Sequence, residues 1–233
     1  MLRHLFQFMR GAQWLTSQRK QNAMTIANRP LQPIKFHRFA LSGHCHRVEL
    51  LLSLLELPVE MIEVNLASGA HKTPAFLALN AFGQVPVIED GSLMLGDSNA
   101  ILIYLATQYG AEQWLPRSAV EAAQLQRWFS VAAGPLATGP ATARRGKVFN
   151  ASVDMTNAQH QAHALFAVMD AHLRGQEWLA GSTLTLADLA NYAYTAHAPE
   201  GGVSLADYSH IRAWLARIEA LPRFVPMLAS RVD

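Results

Sequence analysis

"PIKFHRFALSGHCHRVELLLSLLELPVEMIEVNL", residues 33–66, reads as three elements in succession. Its opening "PIKFHRFA" is short and aromatic-containing, as strands are. From Ser42 onward Val48, Leu51, Leu52 and Leu55 fall at i, i+3, i+4 and i+7, one apolar face of a helix. Ser42 stands at its mouth, and serine caps helices by accepting a free backbone N–H. Pro58 is expected to stop the helix, and "VEMIEVNL" to follow as a second strand. A helix joining two strands makes a βαβ unit, whose strands run parallel.

Working outward, "KTPAFLALN" predicts a short helix, with Thr73 as N-cap, Pro74 at the first helical position and Asn80 beyond its end. In "GQVPVIEDGSLMLGDSNAILIYLATQYG", Asp90-Gly91 is a dipeptide favoured in tight hairpins, flanked by two candidate antiparallel strands. Asp97 or Ser98 then caps a helix whose Ile101, Tyr104 and Leu105 share a face. The order β, α, β, α, β, β, α over residues 33–110 is the thioredoxin-like arrangement, a small mixed sheet with helices on both faces. After a linker, 111–117, the texture becomes wholly helical. Leu125, Trp128, Phe129 and Ala132 repeat at helical spacing, as do Ala162, Leu165, Phe166, Met169 and Leu173, and later Ile211, Trp214, Leu215 and Ile218. Residues 118–233 are therefore expected to form an all-helical bundle, its first helix broken by "GPLATGP" at 134–140. Thr185 and Asp188 have the spacing of a capping box, and Leu184 and Leu189 that of a hydrophobic staple.

Composition narrows the function classes. The 233 residues are 51% hydrophobic and 15% charged, ordinary for a folded soluble chain. The basic pI misleads, because Arg3, Arg10, Arg19, Lys20 and Arg29 precede the first acidic residue. From Ile34 onward 14 basic residues face 17 acidic ones, a net of −3, which argues against a nucleic-acid partner. No apolar run reaches the length of a membrane span. A single cysteine, Cys45, excludes an internal disulfide and any cysteine-rich metal site. Cys45, Val48 and Leu52 share a face, which turns the thiol toward the core. His160, His163 and His172 do not converge and have no completing cysteine or carboxylate, so no metal is expected. The extension 1–32 begins with a basic, acid-free and partly amphipathic segment. It fits either an organelle transit peptide or a dispensable leader with Met24 as an alternative start.

Four motifs carry a family resemblance: "SGHCHRV" at the first helix, "NAFGQVPVIEDG" before the hairpin, "DSNAILIYLA" at the third helix and "LTLADLANY" in the helical domain. With them the chain, from Pro33 to its C-terminus, resembles a cytosolic-type glutathione transferase with a serine-type active site. That resemblance implies a catalytic Ser42 whose hydroxyl donates to the sulfur of bound glutathione and lowers its pKa, at a helix N-terminus that favours the thiolate. Similar bacterial proteins often carry asparagine two residues later; here His44 stands there, as a second candidate for activating the sulfur. The bond before Pro86 is implied to be cis, turning the backbone of Val85 toward the cysteinyl part of glutathione. Asp97 and Ser98 are implied to receive the γ-glutamyl end, with Gln84 nearby and Lys72 at the glycyl carboxylate. Trp128 and Phe129 are candidates for the wall of a second-substrate cleft between the domains.

The implied activity is attack of bound glutathione, a co-substrate, on a small-molecule electrophile. Reduction of disulfides or peroxides with two glutathiones is the alternative on the same scaffold. A non-catalytic binding or interaction protein is the alternative of another class. A homodimer and a cytoplasmic location, or an organelle if the extension is a transit peptide, complete the expectation.

Overall fold

The computed structural model describes residues 29–110 and 112–230, so the basic leader and Met24 lie outside the described residues. The first half contains β1 (Ile34–Arg38), α1 (Gly43–Leu54), β2 (Val59–Glu63), a 3-10 turn (Ala70–Lys72), α2 (Pro74–Leu79), β3 (Val87–Asp90), β4 (Leu93–Gly96) and α3 (Ser98–Gln108). The sheet runs β2-β1-β3-β4, with β1 parallel to β2 and the other pairs antiparallel. This is the expected βαβαββα order.

Period-two alternation sorts the strands between two cores. Ile34, Phe36 and Ile88 join the main cluster with Val48, Leu51, Ile101 and Leu105 of α1 and α3. Val87, on the opposite face, joins a smaller cluster with Val64 and the Phe76 side chain of α2. Edge strand β2 exposes Glu60 and Glu63, charges that discourage pairing with another chain.

Two local expectations shift. Helix α1 ends at Leu54 rather than running to Pro58, because Glu56 takes a left-handed conformation (φ 53°) and the Leu55 N–H closes the last turn on Leu51. In the hairpin Asp90 pairs with Leu93, so the two-residue loop is Gly91-Ser92, with Gly91 supplying the positive φ of 60°. Asp90 instead ends its strand and accepts hydrogen bonds from the hydroxyls of Tyr104 and Tyr109.

The second half contains α4 (Ala119–Ala133), a π-helical turn (Ala137–Ala141), α5 (Thr142–Phe149), α6 (Met155–Leu173), α7 (Leu186–Ala196), a 3-10 turn (Ala198–Gly201) and α8 (Ser209–Glu219). The break over 134–140 is as expected: α4 stops at Gly134, and Pro140 falls inside the π turn. Gly139 permits close passage of α6, since a Cβ there would lie 2.8 Å from the Ala162 nitrogen. Helix α7 is the bundle's centre, buried from Leu186 through Thr195. Its capping carboxylate, Asp188, accepts from the N–H groups of Thr185 and Leu179 and from Trp214 Nε1, each at 2.9 Å. Leu184 and Leu189, the predicted staple, are both buried.

Helix α7 also packs on α1, so the two halves share one apolar cluster. Polar bonds pin the seam. His46 Nε2 donates to the Val225 carbonyl (2.8 Å), Ser53 to that of Arg223 (2.8 Å) and Arg144 to that of Leu41 (2.8 Å).

Candidate active site

The site begins where α1 does. Ser42 occupies the N-cap with extended backbone, and its oxygen accepts the Cys45 N–H at 3.3 Å. That is the plain capping role, and it leaves the hydroxyl proton available to donate. Ser42 is half-buried, at the protein surface rather than in the interior. Tyr194 of α7 closes over the next two residues. A Cβ at Gly43 would lie 2.9 Å from the Tyr194 ring, so glycine is what admits the aromatic, and the His44 ring meets it edge-on at 5.1 Å. Burial raises the Tyr194 pKa against the opposing pull of Arg47 and of the Ser42 hydroxyl, so the phenol is protonated at neutral pH.

Cys45 faces the core, as its helical position predicts. It is 1% exposed, its sulfur accepts the Phe39 N–H at 3.4 Å, and burial pushes the thiol up to about 11. A thiol so protected is no nucleophile at neutral pH.

His44 is half-buried, and burial, reinforced by Arg47, pushes its pKa down to about 3. Its Nδ1 lies 3.4 Å from the Ser98 hydroxyl, which already accepts from Arg47 Nη1 at 3.2 Å. Arginine only donates, so Ser98 is the acceptor in that pair, and its hydroxyl still has both a proton and a second lone pair for His44. Arg47 was not legible as a site residue. It is 1% exposed, and Nη1 also donates to Asn99 Oδ1 at 2.8 Å. Its Nε and Nη2 have no partner among the described residues. Burial lowers its pKa to about 10, with Tyr194 and Asp97 opposing, so the guanidinium stays cationic beneath the start of α3. The available signal was a lone arginine in an otherwise apolar helix face.

The bond between Val85 and Pro86 is cis. Val85 lies two residues before β3, outside the strand ladder. Asp97 takes φ 67° and caps α3 with one oxygen: Oδ1 accepts the N–H groups of Asn99 and Ala100, both at 2.9 Å. Its Oδ2 has no hydrogen-bond partner among the described residues, and the residue is exposed. Ser98 is placed differently from the expectation. The residue is 5% exposed and its hydroxyl is turned inward to Arg47, because the buried guanidinium needs an acceptor. Lys72 is exposed and donates to the carbonyls of Gly83 (3.0 Å) and Phe82 (3.4 Å), beside exposed Gln84.

Residues 41–108 match the model of the glutathione S-transferase N-terminal domain, and residues 146–222 that of the C-terminal domain. Glutathione S-transferase 3 of Zea mays is 36% identical over 86% of this chain and 95% of its own length. The chain belongs to the glutathione S-transferase family. Among solved structures, a glutathione S-transferase from Pseudomonas fluorescens superposes with a TM-score of 0.80 at 33% identity, covering 84% of this chain and all of that one. A Drosophila mojavensis homologue, solved with bound glutathione, gives 0.74 at 25% identity over 82% of this chain and 89% of its own.

In this transferase the aromatic residues named for the second-substrate wall are buried. Trp128 and Phe129 are 2% and 6% exposed and belong to the shared core. The Trp128 ring packs on His172 at 5.0 Å, and its carbonyl accepts from Asn191 at 3.1 Å. Helical spacing correctly marked a buried face, but the opposing helices fill it. The open aromatic pair is Phe39, in the loop before Ser42, with Phe149 at the end of α5, 5.9 Å apart and both partly exposed. Two turns of unrelated sequence meet there, which no local pattern announces. His160 and His163 are exposed, and His172 donates to the Leu179 carbonyl at 2.9 Å. Among the described residues no group of three or more His, Cys, Asp or Glu side chains is placed to hold a metal ion.

Proposed function

We propose that the transferase binds glutathione between the starts of α1 and α3 and holds its sulfur as a thiolate beside Ser42. The observation that carries this reading is the state of the Ser42 hydroxyl: it caps α1 as an acceptor, which leaves its proton available for an anion at the helix N-terminus. The remaining contacts follow from groups left open. The free oxygen of Asp97 suits the ligand's ammonium. The Ser98 backbone N–H, above the Arg47 charge, suits its γ-glutamyl carboxylate. The Val85 backbone, outside the ladder, suits the cysteinyl amide, and Lys72 with Gln84 the glycyl end.

His44 is a second donor of the same kind. It is neutral, so a ring N–H supplies a hydrogen bond without taking a proton. In conjugation the thiol proton leaves to solvent and the sulfur forms a bond to an electrophilic carbon. The leaving group departs with the electrons of the broken bond. Ser42 and His44 lower the thiol pKa without changing charge themselves. The Phe39–Phe149 pair beside this sulfur supports an aromatic electrophile.

Disulfide or peroxide reduction by two glutathiones is compatible with the same site, since Cys45 is unreactive and neither reaction needs it. A non-catalytic scaffold would have no use for the Ser42, Val85 and Asp97 arrangement. A symmetric homodimer is supported by Phe82, 82% exposed, and by exposed Met94 and Leu77 on the same half of the chain. A cytoplasmic location fits the unpaired Cys45 and the absence, among the described residues, of a helix long and apolar enough to cross a membrane.

Retention on immobilised glutathione, followed by turnover with aryl halides, hydroperoxides and mixed disulfides, tests the proposal. Conjugation of the aryl halide is expected. Binding with no turnover of any of the three would favour the binding-module reading, and no binding would end the proposal.

A further inference from the structure

Arg144 of α5 is a charged side chain that the helical half of the molecule buries almost completely, at 2% exposure. All three of its nitrogens are used. Nε donates to Glu200 Oε2 at 2.7 Å, Nη2 to the Ser230 hydroxyl at 3.1 Å, and Nη1 to the Leu41 carbonyl at 2.8 Å. Glu200 is fixed in turn, its other oxygen accepting from His197 Nδ1 at 2.6 Å and the Ser230 N–H at 3.2 Å. Burial raises the Glu200 pKa, but His197 and Arg144 outweigh it, so the carboxylate is ionised. The Glu200-Gly201 turn presses on α5 where a Cβ at Gly201 would lie 2.6 Å from the Arg144 nitrogen.

Two of these bonds stay in the second half of the chain; the third crosses to the first. It ends on the residue immediately before Ser42. The loop from Phe39 to Ser42 is otherwise held at its ends, by Phe39 N–H on Cys45 and by Ser42 N–H on the Phe39 carbonyl at 2.9 Å. Among the described residues, the Leu41 carbonyl has Arg144 as its hydrogen-bond partner. A buried ion pair contributes little net stability compared with an apolar pair of the same shape, so its presence beside the Ser42 loop fits a geometric role.

We infer that Arg144 is the positioning residue for Ser42: its guanidinium, braced by Glu200 and Ser230, fixes the Leu41 carbonyl and thereby the direction of the hydroxyl that stabilises the glutathione sulfur. The inference rests on the glutathione reading above. Arg144 touches no substrate. Its loss lets the loop shift, and displacement of about 1 Å at a reacting centre costs on the order of a hundredfold in rate. The contacts assigned to the γ-glutamyl and cysteinyl groups come from Val85, Asp97 and Ser98, which Arg144 does not reach.

The test compares the parent protein with Arg144→Lys, Arg144→Gln and Glu200→Gln. It measures the pKa of bound glutathione by thiolate ultraviolet absorbance, and kcat and the glutathione KM for one electrophile. Melting temperature confirms the folded state. For both Arg144 variants the bound thiol is expected to titrate closer to free glutathione, with kcat down about ten- to hundredfold and the glutathione KM within about threefold. Glu200→Gln removes the charge and leaves one acceptor oxygen where the parent has two, loosening the brace while Arg144 stays in place, so a smaller shift of the same sign is expected; it decides the matter if the Arg144 variants do not fold. A folded variant with the parent's thiol pKa and kcat overturns the inference. A parent that holds no glutathione thiolate overturns the glutathione reading and this inference together, whereas a parent that does, with variants that match it, overturns the inference alone.

Discussion

Replacing Ser42 separates its two roles, because the cap and the sulfur contact use different parts of one hydroxyl. As an acceptor from Cys45 N–H at 3.3 Å it satisfies an orphan donor of α1. Ser42→Ala should therefore lower stability by about 1 kcal/mol, and Ser42→Gly by only a few tenths. As a donor to a thiolate it makes a hydrogen bond to a charged group, worth about 1.5–3 kcal/mol. At about 1.4 kcal/mol per pKa unit, its loss should raise the bound thiol by about one to two units. Below the shifted pKa the rate should fall about ten- to hundredfold in both variants, while Ser42→Thr keeps cap and donor and retains most activity. Urea unfolding measures the first effect; thiolate absorbance against pH and kcat/KM measure the second. If Ser42→Ala loses stability but leaves the bound thiol pKa and kcat/KM unchanged, Ser42 is a cap and nothing more, and the proposed chemistry fails.

Other outcomes follow from burial. His44 and His46 have pKa values lowered to about 3 and about 4, so the unfolded chain takes up protons on them below the ordinary 6.5 while the folded chain does not. Their contribution is complete above that pH and is lost as pH falls through the window toward 4, at up to about 1.4 kcal/mol per unit for each. Urea unfolding across the upper part of that window should show the slope, and His46→Gln should reduce it by about one proton; a flat profile would contradict the assignment. Asp188→Ala removes the acceptor of four donors, the N–H groups of Leu179 and Thr185, the Thr185 hydroxyl and Trp214 Nε1, and should cost about 3–5 kcal/mol in denaturant unfolding. A loss under about 1 kcal/mol would mean the bundle does not depend on this cap. Phe149→Ala should raise the KM of an aromatic electrophile severalfold and leave that of glutathione unchanged, in two-substrate kinetics; equal effects on both would remove Phe149 from the cleft.

Element order and end caps depend on groups within a turn or two of each other, which is why they were legible in the chain. Ser42, Thr73, Asp97 and the Thr185–Asp188 box all cap where their sequence places them, and the apolar faces around Leu51, Phe166 and Trp214 are all buried. The bond between Val85 and Pro86 is cis, as the resemblance implied. Trp128 and Phe129 show the limit of that evidence: a helical period says that a face is covered and is silent on what covers it.

The sequence by itself therefore determined the βαβαββα half, the helical half and the capping residues, because short-range hydrogen bonds and side-chain periodicity are properties of adjacent residues. Only the tertiary structure decided that Arg47 lies charged beneath α3, that Tyr194 closes on Gly43 and that Arg144 reaches Leu41. Those contacts join residues as distant in sequence as Gly43 and Tyr194, and a buried charge is tolerated only where distant groups supply its acceptors. Proximity of that kind is created by packing α7 on α1.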